Sequence, residues 1–191
     1  GYMKNLIMVD IQREYAKNCK GSYSIDDQYV RNILSYIRKM KFDNIFCVVD
    51  CNSGHINIPY RLQNKIDGFF FKNYAGYCMD EVQRLIEEGE MTIIEENVAY
   101  KNCYGRLVLV TDNCHETQTV NEDLEKLISL IRENENYLIG GCDGECLQDI
   151  EKVLDYHNIN YTREDSLIYP IYTPVVKDFD TIDWVEIECP Y

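Results

Sequence analysis

What the sequence lacks sets the first limits. No apolar run approaches the ~20 residues that a helix needs to cross a bilayer. The longest, such as Leu6-Ile7-Met8-Val9 and Leu107-Val108-Leu109-Val110, span a few positions only. Positive charge is scarce: Lys and Arg total 19 against 33 Asp and Glu, a net charge of -14. So negative a surface repels phosphate backbones and anionic lipid, and neither nucleic acid nor membrane is expected as a partner. No secretory leader is recognisable, and the nine cysteines are odd in number and irregularly spaced. Reduced thiols in a cytoplasmic protein are therefore expected, most of them small buried hydrophobes or surface groups. Gly1-Tyr2 ahead of Met3 reads as an added remnant and is set aside. There is no internal repeat, no low-complexity tract and no linker that would divide the chain.

What is present is enough for a real core. The 191 residues are 46% hydrophobic, and a chain of this length buries about 70% of its unfolded surface. One domain, 1–191, is expected, with a C-terminal arm over 170–191 that carries Pro174, Trp184 and Pro190. Lys4 to Val9 and Asn44 to Val49 are short apolar runs, each followed by an acid (Asp10, Asp50), and read as buried strands. Ser24 stands where a helix cap would, ahead of Val30, Ile33, Leu34 and Ile37 at helical spacing. Cys51 to Lys72, with Gly54, Pro59 and the triplet Phe69-Phe70-Phe71, reads as an irregular excursion. Asp80 to Glu88 reads as a helix closed by Gly89, and Met91 to Glu95 as the third strand. Lys101 to Gly105 reads as a loop, and Arg106 to Val110 with Thr117 to Val120 as a hairpin. Asn121 caps a helix running to Asn134. Tyr137 to Ile139 is a strand entering Gly140-Gly141, and a helix begins near Gly144. Asn160 to Thr162 and Leu167 to Tyr169 are further short strands. Strands alternating with helices predict an α/β protein: three layers, α/β/α, around a mostly parallel central sheet.

In such a sheet, ligands gather outside the carboxyl ends of the strands. Three residues stand out by position. Asp10 ends the first strand; it is a partly desolvated acid or a plain helix-capping one. Lys101 follows the third strand, as a site ammonium or an ordinary surface lysine. Cys146 opens the helix after the glycine-rich strand end. Positive potential and free N–H groups there favour a thiolate, although a tight turn with a buried cysteine has the same signature.

Together the three resemble the isochorismatase-like cysteine hydrolases, the superfamily that includes nicotinamidases. The first strand ends in Asp-x-Gln-x-x-aromatic (Asp10, Gln12, Tyr15). A lysine, matched to Lys101, follows the third strand, and Cys146 lies six residues after a strand-end glycine, Gly140. Asp165-Ser166 looks like the acid-small pair after the last strand. The resemblance covers about residues 3–169. It implies an amide-cleaving hydrolase in which Cys146 is the nucleophile, Asp10 the proton carrier and Lys101 the charge stabiliser, working through a thioester. It also implies an oxyanion held by the backbone of Cys142, after a cis Gly141–Cys142 bond, and of Cys146. Tyr15 and Tyr104 are candidate pocket walls, with Tyr74, Tyr77 and Tyr100 as weaker candidates for the same lining.

There are departures. Asp143-Gly144 replaces the usual Thr-Asp pair. No Trp-Pro occurs, and Asn52 stands where the first histidine of a nicotinamidase metal site belongs. A divalent metal near Asp50 thus lacks its expected histidines, and His55 reads as a polar loop residue. Cys114-His115 has no second pair to complete a tetrahedral site. The alternative function is a catalytically impaired relative that binds a small molecule or a partner. A vinyl-ether hydrolase of the isochorismatase type fits less well, because it needs no cysteine nucleophile. A small-molecule amide is the expected substrate. An anionic one is disfavoured unless Lys101, or Arg61 and Lys65, face the pocket. A homo-oligomer is also expected.

Overall fold

The computed structural model describes residues 2–16, 25–51, 54–72, 76–112, 116–170 and 182–190. In chain order, β1 (Lys4–Val9) and one helical turn, α1 (Arg13–Ala16), precede α2 (Asp27–Met40) and β2 (Asn44–Asp50). Then come β3 (Ile56–Pro59), α3 (Tyr60–Gln63), β4 (Gly68–Lys72) and α4 (Met79–Glu87). A meander follows: β5 (Met91–Glu95), β6 (Ala99–Asn102), β7 (Leu107–Val110) and β8 (Thr117–Val120). The rest is α5 (Glu122–Ile131), β9 (Glu135–Asp143), α6 (Cys146–Tyr156), β10 (Thr162–Pro170) and β11 (Trp184–Ile187).

Five strands form the central sheet in the order β10-β9-β1-β2-β4, each parallel to its neighbours. Alternation along β1 explains the layers. Leu6 and Met8 join a core with Tyr29, Val30 and Ile33 of α2, while Ile7 and Val9 join another with residues of α5 and α6. With both faces covered, residues 6–9 of β1 and 45–49 of β2 are apolar without interruption. The architecture is the expected three-layer α/β/α. No helix among the described residues is long and apolar enough to cross a membrane.

Several local expectations are corrected. The segment before Lys72 is not irregular throughout: Phe69-Phe70-Phe71 lies in β4, the edge strand of the central sheet, paired with β2. The aromatics stack instead of signalling a loop, with Phe70 edge-on to Phe46 at 5.4 Å between ring centroids. Met91 to Glu95 is a strand of a separate four-stranded antiparallel sheet, β5-β6-β7-β8. Lys101 lies in β6 and not in a loop, because residues 99–101 pair on both sides. The two short strands expected near the end are one, β10, with a register shift between Arg163 and Ile168. Asp26, not Ser24, caps α2 by accepting from the Tyr29 N–H. Ser24 itself lies outside the described residues, as do Cys19, Asn52, Tyr74, Cys114, His115 and Pro174.

Of the arm, residues 182–190 are described, and β11 pairs antiparallel with β3 of the same chain. That register brings Cys51 and Cys189 into a disulfide, with Cα atoms 6.0 Å apart. The expectation that all thiols are reduced is corrected here. A separation of 138 residues gives no spacing signal to read. Cys47, Cys78, Cys103 and Cys146 are free.

Candidate active site

Parallel strands bring their carboxyl ends to one side, where β9 ends in Asp143 and three others meet a charged residue. Asp10 follows β1, Asp50 ends β2 and Lys72 ends β4. Asp10 leaves its strand in the left-handed region, φ 53°. Its N–H donates to the Val48 carbonyl at 3.0 Å, and its carbonyl accepts the Tyr169 hydroxyl at 2.5 Å. With the backbone held at both ends, the side chain is aimed. Lys72 Nζ donates to Asp10 Oδ2 at 2.6 Å, with both side chains buried. The other carboxylate oxygen, Oδ1, is buried without a nitrogen or oxygen partner among the described residues, and the carboxylate interacts with the Cys146 thiol.

Cys146 is the first residue of α6, and its thiol lies in the field of Lys72, Asp10 and Asp149. Two glycines permit the approach. Gly140 has φ +108°, and a Cβ there would stand 2.1 Å from the Val9 carbonyl oxygen. The backbones of β9 and β1 therefore close up just before Asp10. At Gly141 a Cβ would meet the Tyr169 ring at 2.5 Å. The Gly141–Cys142 peptide is cis, and Cys142 is half-buried at the end of β9.

Asp50 is held by Gln12, whose side-chain amide imitates strand pairing. Gln12 Nε2 donates to the Asp50 carbonyl at 3.0 Å, and the Asp50 N–H donates to Gln12 Oε1 at 2.8 Å. The Tyr15 hydroxyl donates to Asp50 Oδ2 at 3.0 Å. The Asp-x-Gln-x-x-aromatic run thus clamps the end of β1 to that of β2.

The charges are tuned by burial. Desolvation pushes the Asp10 carboxyl up; Lys72 opposes this and Asp50 adds to it. Burial works against the Lys72 ammonium, but Asp10, Cys146 and Asp50 outweigh it and hold it charged. Desolvation also lifts the Cys146 thiol, Lys72 pulls it down and Asp10 pushes it up, leaving it above the ordinary thiol range. Asp149, one turn into α6, is pushed up to about 6 by burial, with Lys72 opposing and Glu116 adding. The cluster is thus a thiol beside a buried carboxyl and a buried ammonium, groups between which a proton can pass.

The site thus gathers Asp10, Cys146 and Tyr15 of the residues singled out from sequence, and leaves two out. Lys101 is exposed on β6, facing away into the meander sheet's own pairing with Thr92 and Leu107. Tyr104 sits in the β6–β7 turn and is 84% exposed. Lys72 occupies the place given to Lys101. Val-Asp, Val-Asp and Phe-Lys end three strands alike, but the third is recognisable as a strand only through its pairing with β2. Arg61 lies on α3, 3.7 Å from Asp27 of α2, and brings no charge to the Asp10–Lys72 pair. The described residues do not fit a metal at Asp50. Its Oδ2 accepts from Tyr15, His55 Nδ1 is 2.5 Å from Glu186 Oε1, and no three His, Cys, Asp or Glu side chains among the described residues converge.

Fold and site together define a three-layer α/β protein with an acid–ammonium–thiol cluster at its strand ends. No protein-family model matches the chain, and no curated protein does. Among solved structures it is similar to the nicotinamidase SaPncA from Staphylococcus aureus. The identity is 13% and the TM-score 0.47, over 88% of this chain and 83% of that one.

Proposed function

We propose that the protein is a cysteine hydrolase of small amides or related C–N bonds, with Asp10, Lys72 and Cys146 as its working residues. The observation that carries this reading is the buried Asp10 carboxylate, tied through Oδ2 to the buried Lys72 ammonium and interacting with the Cys146 thiol at a helix start. As Cys146 Sγ forms a bond to the substrate's carbonyl carbon, its proton passes to Asp10. The C–N bond then breaks, and Asp10 returns the proton to the departing nitrogen, leaving a thioester. A water attacks the thioester carbon, gives a proton to Asp10, and the sulfur leaves and regains that proton as a thiol. Lys72 keeps the carboxylate ionised between the two halves. The backbone N–H groups of Cys142 and Cys146 are the proposed donors to the tetrahedral oxygen, each worth about 100- to 1,000-fold in rate.

The test is ammonia release from a panel of small primary amides, with intact-mass detection of an acyl-enzyme. Cys146→Ala is expected to abolish both and to keep a native circular dichroism spectrum. Full turnover by that variant removes Cys146 from the mechanism. Iodoacetamide, itself a small primary amide, supplies a substrate-independent measure. Its reaction at Cys146 is expected to slow at least about tenfold in Asp10→Asn, less than the roughly 100-fold usual for losing a general base because losing the Asp10 charge also eases ionisation of the thiol. Labelling of Cys78 and Cys103 stays constant.

A further inference from the structure

We infer that Arg163, on the edge strand β10, is a positioning residue that fixes the Cys146 turn. The inference rests on the hydrolase reading above. Its guanidinium meets three carboxylates from three elements. Nη2 is 3.1 Å from Asp143 Oδ2, at the end of β9. Nη1 donates to Glu151 Oε1 of α6 at 2.8 Å, and Nε donates to Asp165 Oδ1 of β10 at 3.0 Å. Asp143 lies three residues before Cys146 and Glu151 five after it, so one planar fork spans both sides of the turn that carries the thiol.

That turn is closed locally by the Glu145 N–H donating to the Cys142 carbonyl at 3.1 Å and by the Cys142 thiol 3.8 Å from Glu145 Oε2, but no side chain caps the helix it opens. The caps of α2 and α5, Asp26 and Asn121, each accept from a first-turn N–H. Glu145, at the start of α6, makes no such side-chain bond. Gly144 ahead of it has φ +79°, a region where the chain has many accessible conformations when glycine occupies it. One turn hydrogen bond fixes Cys142 against Glu145 but not the turn against its neighbours, and a contact that ties both flanks to an adjacent strand supplies that. Arg163 does this from the neighbouring strand, and Glu151 is itself held from a second side by the Tyr161 hydroxyl at 3.0 Å. Arginine suits the task because its fork reaches several carboxylates in fixed directions, which a lysine ammonium cannot.

The role is separable from a mere contribution to stability and from a general effect of positive charge. Lys152 carries the same charge on α6 but pairs with Asp112 at 3.6 Å, and so serves as the control. The experiment measures iodoacetamide labelling of each free cysteine by mass spectrometry, from pH 6 to 9, in folded wild type, Arg163→Met, Arg163→Lys, Asp143→Asn, Lys152→Met and Asp10→Asn. A small misplacement of reacting groups is costly, so Arg163→Met and Asp143→Asn are expected to slow Cys146 at least about tenfold at every pH. Arg163→Lys does not restore the rate, Lys152→Met stays within twofold of wild type, and Cys78 and Cys103 are unchanged throughout. Cys146 rates within twofold of wild type in both Arg163→Met and Asp143→Asn overturn the inference, as does an equal slowing in Lys152→Met. Asp143→Asn keeps the test decisive if Arg163→Met does not fold. If Asp10→Asn leaves Cys146 labelling unchanged, it is the hydrolase reading that fails, a result distinct from either.

Discussion

Asp10 and Lys72 are both stripped of water, so each depends on the other for its charge. Removing one partner of a buried ion pair leaves the other uncompensated and costs about 3–5 kcal/mol. Lys72→Met is therefore expected to lose about that much unfolding free energy in urea, whereas Lys101→Met, at an exposed position, stays within about 0.5 kcal/mol of wild type. Equal effects from the two would mean that Lys72 is not the buried partner. The acid itself was legible, because a carboxylate directly after a buried apolar run has few ways to remain solvated. The lysine was not. Three phenylalanines in a row carry no period-2 alternation, and glycine, proline and polar residues before them imitate a loop. Only pairing with β2 makes the run a strand and its last residue a site residue. Asp149 gives a pH signature. Its carboxyl is raised to about 6 by burial first of all, against the pull of Lys72. A carboxyl raised on folding adds stability that is full below the unfolded value, near 4, and lost as pH rises through the folded one. Stability of wild type relative to Asp149→Asn should fall from about pH 4 to about pH 6. A pH-independent difference measured by urea unfolding contradicts the burial of that group.

At the scale of elements, the approach of β9 to β1 is what brings Cys146 near Asp10. It rests on Gly140, where a side chain would collide with the Val9 backbone. Backbone cannot step aside as a side chain can, and φ +108° is itself strained for any other residue. Gly140→Ala is expected to destabilise by more than about 2 kcal/mol, or to push β9 away and abolish the Asp10 dependence of Cys146 labelling. Thermal unfolding and the labelling assay check the two outcomes, and a variant normal in both refutes the close-approach argument. The helices and the inner strands were readable because their signals are local. Asn121 caps α5 where its side chain implies, and the apolar stripes of α2, α5 and α6 face the core. Sheet membership was not readable. Met91–Glu95 is β-prone, but its burial pattern, one buried residue followed by four exposed, belongs to the rim of an antiparallel meander. Counting it as the third strand of the central sheet is what moved the expected lysine from Lys72 to Lys101.

Across the whole molecule, the Cys51–Cys189 disulfide joins the end of the central sheet to the last described segment, closing a loop of 138 residues. Cross-linking so long a loop removes much of the unfolded chain's freedom, by about 5 kcal/mol in the chain-entropy picture. The folded chain loses little in return when the link is cut, because β11 still pairs with β3 and Trp184, Val185 and Ile187 still pack against the core. Cys189→Ser should therefore lower the unfolding free energy by about 2–5 kcal/mol under oxidising conditions. Wild type treated with a phosphine reductant should match the variant. The site should respond differently. Asp10 and Lys72 are placed by β1, β2 and β4 through parallel pairing, which needs no covalent link. Asp10-dependent labelling of Cys146 should thus persist in Cys189→Ser at temperatures where the variant is folded. A loss of labelling in step with reduction, before any unfolding, would show that the arm holds the site and not only the chain.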